Sequence, residues 1–155
     1  MKTLRIVTAA ALFASALLFQ SSVRADSEED RIDALLHQSG YTYEKRAEGV
    51  WVVPQKGDSL GDFKVIVAQG EGLVVIFVIV AKKDQMDMGL GLATRMLSMN
   101  HEFDRVKVGT DDDGDAFVRL DASLRSMDAT EMKEDIHQVA ASADEAYSGI
   151  KPYLH

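Results

Sequence analysis

The sequence of 155 residues contains no cysteine. Disulfide bonds, thiol nucleophiles, cysteine-ligated metals and the lipid-modified cysteine of a lipoprotein are therefore excluded. The chain also lacks the short motifs that mark serine hydrolases, zinc peptidases and phosphate-binding loops, and its four histidines are not spaced as metal ligands. These absences favour a protein without catalytic activity, without a cofactor and without a bound metal.

No segment has the length of a transmembrane helix, which needs about 20 apolar residues. The main apolar stretch, from Ile6 to Phe19, has only 14 residues and no charge. Lys2 and Arg5 precede it, and the triplet Val23-Arg24-Ala25 follows it, an order typical of a secretory signal peptide. We predict that residues 1–25 are removed by cleavage before Asp26, and that the protein is exported to the periplasm or the medium.

Basic residues are scarce. Removal of residues 1–25 would delete three of the 17 basic residues and none of the 25 acidic ones, so 14 against 25 would leave a net charge of −11. Such a surface repels phosphate backbones and anionic lipids. We therefore expect no nucleic-acid binding and no membrane association after cleavage, whereas basic protein partners, cations and simple solubility are all compatible with the charge.

The remaining residues, 26–155, predict a single α+β domain with helices packed on an antiparallel sheet. Period-two apolar runs between glycine-containing turns indicate strands, and apolar residues at helical spacing indicate helices. The predicted order is α-β-β-β-β-α-β-β-α. Strands are predicted over 41–46, 50–53, 63–68, 73–81, 103–108 and 116–122. Helices are predicted from Ser27 to Gly40, from Met88 to Met99, and from an Asp128–Glu131 capping box to Gly149 and Pro152.

The same patterns assign inner and outer sides. In the last hairpin, the inner face contains Val106, Val108, Val118 and Leu120, and the face toward water contains Arg105, Lys107, Arg119 and Asp121. The inner stripe of the second helix is predicted to contain Leu92, Ala93, Met96 and Leu97. Pro54 is expected to restrict the second strand to an edge or to end it early.

The stretch from Phe103 to Leu120, with Asp112-Asp113-Gly114 at its turn, resembles the YbjN-like family, which shares the type III secretion chaperone-like fold. Similar positions outside this stretch are Leu97, Asn100, Asp128, Ala143, Asp144 and Tyr147. The resemblance implies a YbjN domain that can dimerise and binds other polypeptides, with no catalytic residues. Secretion chaperones act in the cytoplasm, so the export signal predicts a role other than holding effectors.

Two clusters offer metal ligands. The run Asp111 to Asp115 resembles a calcium loop, but the first and the closing ligand positions of an EF-hand would fall on Gly109 and Leu120. We therefore interpret it as a hairpin turn. The second cluster, with soft ligands suited to Cu(I), contains Met86, Met88, Met96, Met99 and His101. Core packing or an adaptable binding surface explains these methionines equally well.

The fourth predicted strand, Leu73 to Ala81, is apolar on both of its sides. A strand with one solvated side should instead alternate. Three helices can cover only one side, so the other side needs a crossed-over element, a second subunit or a bound partner. We predict an interface on this strand at Val74, Ile76, Phe77, Val78 and Val80. The sequence does not show which of the two sets of alternate residues faces outward.

These observations favour an exported, non-enzymatic module that binds other polypeptides and can form a homodimer. The alternative is a periplasmic carrier of a small ligand or a metal.

Overall fold

The computed structural model describes residues 28–155. The predicted signal peptide over residues 1–25, the cleavage before Asp26 and the Ser27 cap lie outside this range and stay predictions.

The described part of the chain contains one six-stranded sheet and three helices. The elements are α1 (28–39), β1 (Glu44–Ala47), β2 (Val50–Lys56), β3 (Asp62–Gln69), β4 (Leu73–Ala81), α2 (Leu90–Glu102), β5 (Lys107–Thr110), β6 (Ala116–Ser123) and α3 (Ala129–Ile150), with 3-10 turns at Lys83–Gln85 and Lys151–Tyr153. All paired strands are antiparallel, and their spatial order is β1-β2-β3-β4-β6-β5. The predicted fold class and element order are confirmed.

All three helices pack on one face of the sheet. Helix α3 lies against β3, β4 and β6, and α2 lies against β5 and α3. Helix α1 lies on the same face, next to β2, where Trp51 Nε1 donates a 2.9 Å hydrogen bond to Asp33 Oδ1. The core between the helices and the sheet is built from the alternate strand residues that face the helices, including Trp51, Val53, Val65, Val67, Val74, Ile76, Val78, Val118 and Leu120.

The predicted start of α3 is confirmed. The Asp128 carboxylate accepts hydrogen bonds from the backbone N–H groups of Thr130 and Glu131, both at 2.9 Å, which satisfies two donors that the first helical turn leaves free. The predicted end is also confirmed, because α3 ends at Ile150, between Gly149 and Pro152. A Cβ at Gly149 would overlap Met99 and press on Arg95, so this glycine allows close packing of α2 and α3.

The fifth strand begins at Lys107, and its predicted start at Phe103 is wrong. Phe103 is the C-cap of α2. Between it and the strand, Arg105 adopts a φ of +65°, and the Val106 N–H donates to the Asp104 carbonyl at 2.8 Å. This three-residue turn cannot belong to a strand, because a non-glycine residue in the left-handed region reverses the chain locally.

Pro54 does not end the second strand, which continues to Lys56. Strand β1 pairs with residues Val50 to Val52 of β2 only, so Pro54 has a strand partner on one side alone, at Lys64. A proline lacks the N–H that a central strand position requires. At Pro54, β2 is already an edge strand, so the missing N–H does not interrupt the sheet.

Candidate functional site

The candidate site is the face of the sheet opposite the helices, which we name the open face. Its apolar members are Val50, Val52, Pro54, Ile66, Ala68, Leu73, Val75, Phe77, Ile79 and Phe117. One row of paired residues crosses all six strands, in the order Glu44, Val52, Ile66, Phe77, Arg119 and Lys107. The row is apolar in its centre and charged at both ends.

The central side chains of the open face are partly covered by their neighbours but not by any described helix. Val75, Phe77 and Ile79 of β4 are each half-buried, and Leu73 is 40% exposed. On the other side of the same strand, Val78 is only 1% exposed. A contiguous apolar surface of this kind is typical of a protein interaction site.

The structure places four of the five predicted interface residues in the protein's own core. Val74, Ile76, Val78 and Val80 point toward the helices and are at most 4% exposed. They are therefore unavailable to a partner of the folded chain. Phe77 alone of the predicted set lies on the open face, with Ile66 and Arg119 as its cross-strand neighbours. That a partner binds there stays a prediction.

A cluster of three charged residues borders the open face at β5 and β6. Lys107 Nζ lies 2.7 Å from Asp121 Oδ2, and Arg119 Nε lies 2.6 Å from Asp121 Oδ1. Burial would raise the pKa of Asp121, but the hydrogen bonds from Lys107 and Arg119 outweigh it and hold this pKa below its usual value. The carboxylate is thus ionised at neutral pH and shared by two cations. The prediction that these three side chains face water is confirmed.

Asn100 of α2 closes the sheet edge formed by β5. Its Nδ2 donates to the Val108 carbonyl at 2.8 Å, and its Oδ1 accepts from the Val108 N–H at 2.8 Å. One amide side chain thereby occupies both backbone groups of the central strand residue, as a neighbouring strand would. The opposite edge strand, β1, exposes the charged side chains of Glu44, Lys45 and Arg46.

Asp144 of α3 fixes the loop between β2 and β3. Its carboxylate accepts hydrogen bonds from the backbone N–H groups of Asp58, Ser59 and Leu60 at 3.2, 2.9 and 2.7 Å. The pKa of Asp144 is lowered, most strongly by the Leu60 bond. Gly57 permits this contact, because a Cβ there would overlap the carboxylate. The hairpin that supplies half of the open face is thus tied to a helix on the other face.

The two clusters that offer metal ligands in the sequence lie at the β5–β6 turn and around α2. Asp111 Oδ1 accepts from the N–H groups of Asp113 and Asp115 at 3.0 and 2.9 Å, while Gly114 has a φ of +86°. This geometry is that of a hairpin turn. Among residues 28–155, no three histidine, aspartate or glutamate side chains are grouped as metal ligands. Of the second cluster, Met86, Met96 and Met99 are buried in the core, whereas Met88 and His101 are exposed.

A shallow depression lies beside the acidic turn, lined by Lys82, Lys83, Asp84, Met86, Met88, Asp113 and Asp115. Lys82 Nζ lies 2.6 Å from Asp115 Oδ2, and Asp115 Oδ1 accepts from the Lys83 N–H at 2.9 Å. Lys82 and Asp115 of the depression therefore bind each other, and the depression gives no support to a carrier site.

The outer side of α2 is a second exposed apolar surface. Leu90 is 86% exposed and Leu97 is 71% exposed. The prediction that Leu97 and Ala93 belong to the inner stripe of this helix is wrong, because the buried residues are Leu92, Met96 and Met99. No helix among residues 28–155 is both long and apolar enough to span a bilayer.

No family model matches the chain, and no curated protein matches it. Among solved structures, the chain is similar to a chain of the heterodimeric ExoU–SpcU complex from the type III secretion system of Pseudomonas aeruginosa. The two are 18% identical, with a TM-score of 0.56, and the alignment covers 78% of this chain and 98% of the other. The chain has a secretion chaperone-like fold.

Proposed function

We propose that the protein is an exported, non-enzymatic binding module that holds a polypeptide on the open face of its sheet. The observation that carries the proposal is the uncovered apolar side of β4, where Val75, Phe77 and Ile79 are half-buried. The neighbouring strands extend this surface through Ile66 and Phe117. Likeness to a chain of a heterodimeric complex supports a polypeptide partner, and the Phe103–Leu120 resemblance supports membership of the YbjN-like family.

The apolar side chains of this face retain free energy for a partner. Complete burial of one large apolar side chain contributes about 1.5–3 kcal/mol, so a partly exposed one retains less than half of that for a partner. Several such side chains lie side by side on the open face, which allows them to act as a cluster. Asp144 fixes the β2–β3 loop, and Asn100 binds the backbone of the β5 edge. Both contacts hold the cluster in one shape before binding, which lowers the entropic cost of association.

The test is capture of partners from the native compartment with three forms of the protein as bait. Wild type and the control Ala141→Glu, which alters an exposed residue of α3, should retain the same polypeptide. Phe77→Glu should fold but lose it, because a carboxylate then replaces the centre of the apolar row. A retained polypeptide must bind again as a purified component. Equal retention by all three forms, or no retained polypeptide, contradicts the proposal.

Export forms a separate part of the proposal and has its own test. N-terminal sequencing of the mature protein from its native host should give Asp26 as the first residue. An intact Met1 on the stable protein would contradict the signal-peptide interpretation without affecting the proposed binding face.

A homodimer, as the resemblance implies, would most readily use the outer side of α2. Leu97→Glu should convert a dimer into a folded monomer in sedimentation experiments, because Leu97 is 71% exposed in the single chain. Ser98→Glu is the matched control, since Ser98 is exposed on the same helix. An unchanged mass for Leu97→Glu contradicts this assignment of the dimer surface.

A further inference from the structure

The charge of the open face is opposite to that of the chain. Its charged members are Glu44, Lys56, Asp62, Lys64, Lys107, Arg119 and Asp121. Four basic and three acidic side chains give the face a net charge of +1, whereas the whole chain has −8. The local balance around the candidate site, rather than the total charge, determines which partner can approach it.

The positive charge is concentrated beside the apolar row. Arg119 is the cross-strand neighbour of Phe77, and Lys107 is the next residue in that row. Because Asp121 is the single carboxylate that both cations contact, one positive charge at this border is left without a counter-charge. Lys64 adds an exposed cation on β3, opposite Pro54.

We propose that the open face recognises an amphipathic polypeptide segment whose apolar side chains are accompanied by acidic ones. The apolar side chains would cover Phe77 and its neighbours, and the carboxylates would meet Lys107 and Arg119. This inference rests on the proposed function and specifies the chemistry of the partner. The total charge of the chain is compatible with a basic partner, whereas the local charge of the open face fits an acidic one.

A longer polyanion fits this face poorly. Six strands spaced by about 4.8 Å give a sheet roughly 25 Å wide. Beyond that width a nucleic acid or an anionic membrane would meet the acidic remainder of the chain, including the turn from Asp111 to Asp113. A short acidic segment can contact the four basic side chains of the open face without that repulsion, because the segment ends where the basic surface ends.

The test uses two synthetic seven-residue peptides with the same central valine and phenylalanine residues, one with glutamate and the other with lysine at both ends, so that the terminal charges can lie beside the ends of the apolar row. The glutamate peptide should bind wild type about five- to ten-fold more tightly at low salt, because exposed charge pairs contribute modestly and are screened. Lys107→Gln with Arg119→Gln should abolish this preference. Lys133→Gln with Lys151→Gln is the control, since it removes the same charge from exposed residues outside the open face.

The outcomes separate this inference from the proposed function. Equal or tighter binding of the lysine peptide, or a preference that survives Lys107→Gln with Arg119→Gln, overturns the acidic partner but leaves polypeptide binding intact. Binding of a DNA duplex or anionic vesicles with the same dependence on Lys107 and Arg119 also overturns it. If neither peptide binds, the inference is overturned, while the proposed function is still decided by the capture experiment with Phe77→Glu. Thermal unfolding of each variant confirms that it is folded.

Discussion

The two sides of β4 are similar in composition and opposite in environment. Val74, Ile76 and Val78 are at most 1% exposed beneath the helices, whereas Leu73 on the other side is 40% exposed. Both sides lack polar side chains, so the hydrophobicity of the strand shows only that each side avoids water. Which side is covered within the chain is determined by α3, whose apolar stripe can pack on one face alone. The uncovered side is the one that we propose a partner covers.

Two charge substitutions test this comparison, and one of them should have the largest effect on the free energy of unfolding. Val78→Glu places a carboxylate in the core without a counter-ion, which should cost more than about 4 kcal/mol and prevent folding. Phe77→Glu places the same group on the open face, where it can reach water beside Arg119, and should leave the fold intact. Urea unfolding followed by circular dichroism measures both. If both variants unfold, the distinction between the two sides is wrong.

The covering helix is held at one end by an ion pair in which the carboxylate is buried and the guanidinium is half exposed. Arg105 Nη1 lies 2.7 Å from Asp135 Oδ1, and the Asp135 side chain is fully buried in α3. Burial raises the pKa of Asp135, and the charge of Arg105 opposes this shift. The Asp135 carboxylate accepts no hydrogen bond of good geometry from the described residues, so the Arg105 guanidinium is its main compensation.

Arg105→Ala should therefore destabilise the protein by about 3 kcal/mol, because it leaves a buried charge unpaired. Asp135→Asn added to it should recover much of the loss, since the buried group is then neutral. Because the folded pKa of Asp135 is raised, the contribution of this residue to stability should fall as pH rises from 3.8, the ordinary value, through the folded pKa. Asp135→Asn should remove this contribution from the pH dependence. Additive effects of the two substitutions in urea unfolding would show that the residues act independently.

Local sequence patterns predicted the elements better than their sides. The bounds of β4 and the Asp128 cap of α3 are confirmed because both depend on neighbouring residues. The start of β5 was missed because the +65° φ of Arg105 accompanies a contact with Asp135, 30 positions further along the chain. No short-range pattern carries that information.

Which alternate residues of β4 face the helices depends on how this strand pairs with β6, and local sequence patterns do not give that pairing. The inner face of β6 was predicted through Val118 and Leu120, and β4 pairs with β6 in the register Val78 to Val118. That register would have identified Phe77, Ile79 and Phe117 as members of the open face. Strands β4 and β6 are separated by α2 and β5, so their pairing depends on a crossover rather than on a turn whose residues fix the register.

The opposite end of α3 is joined through Asp144 to the loop between β2 and β3. Asp144→Asn should reduce the free energy of unfolding by about 2 kcal/mol, because three backbone N–H groups lose an ionised acceptor. The folded pKa of Asp144 is lowered, so its contribution is complete above the ordinary value of 3.8 and disappears as pH falls through the folded pKa. Unfolding curves of wild type and Asp144→Asn should therefore converge in acid. Glu145→Gln, at an exposed neighbouring position, should show neither effect.

Strand β5 forms the sheet edge where the covered and open faces meet. Among these predictions, a substitution at this edge should change the free energy of unfolding least. Asn100→Ala removes both hydrogen bonds to Val108, which water can replace, so the loss should be about 1 kcal/mol. The clearer result should be faster hydrogen exchange of the Val108 amide, together with concentration-dependent association of the exposed strand edges. Asn100→Asp keeps the acceptor for the Val108 N–H and should protect that amide partly. If the association occurs along the edge, it should persist when Phe77→Glu is added to Asn100→Ala. Its disappearance would instead show that the molecules associate through the open face, and Asn100 would then have no role in protecting the edge.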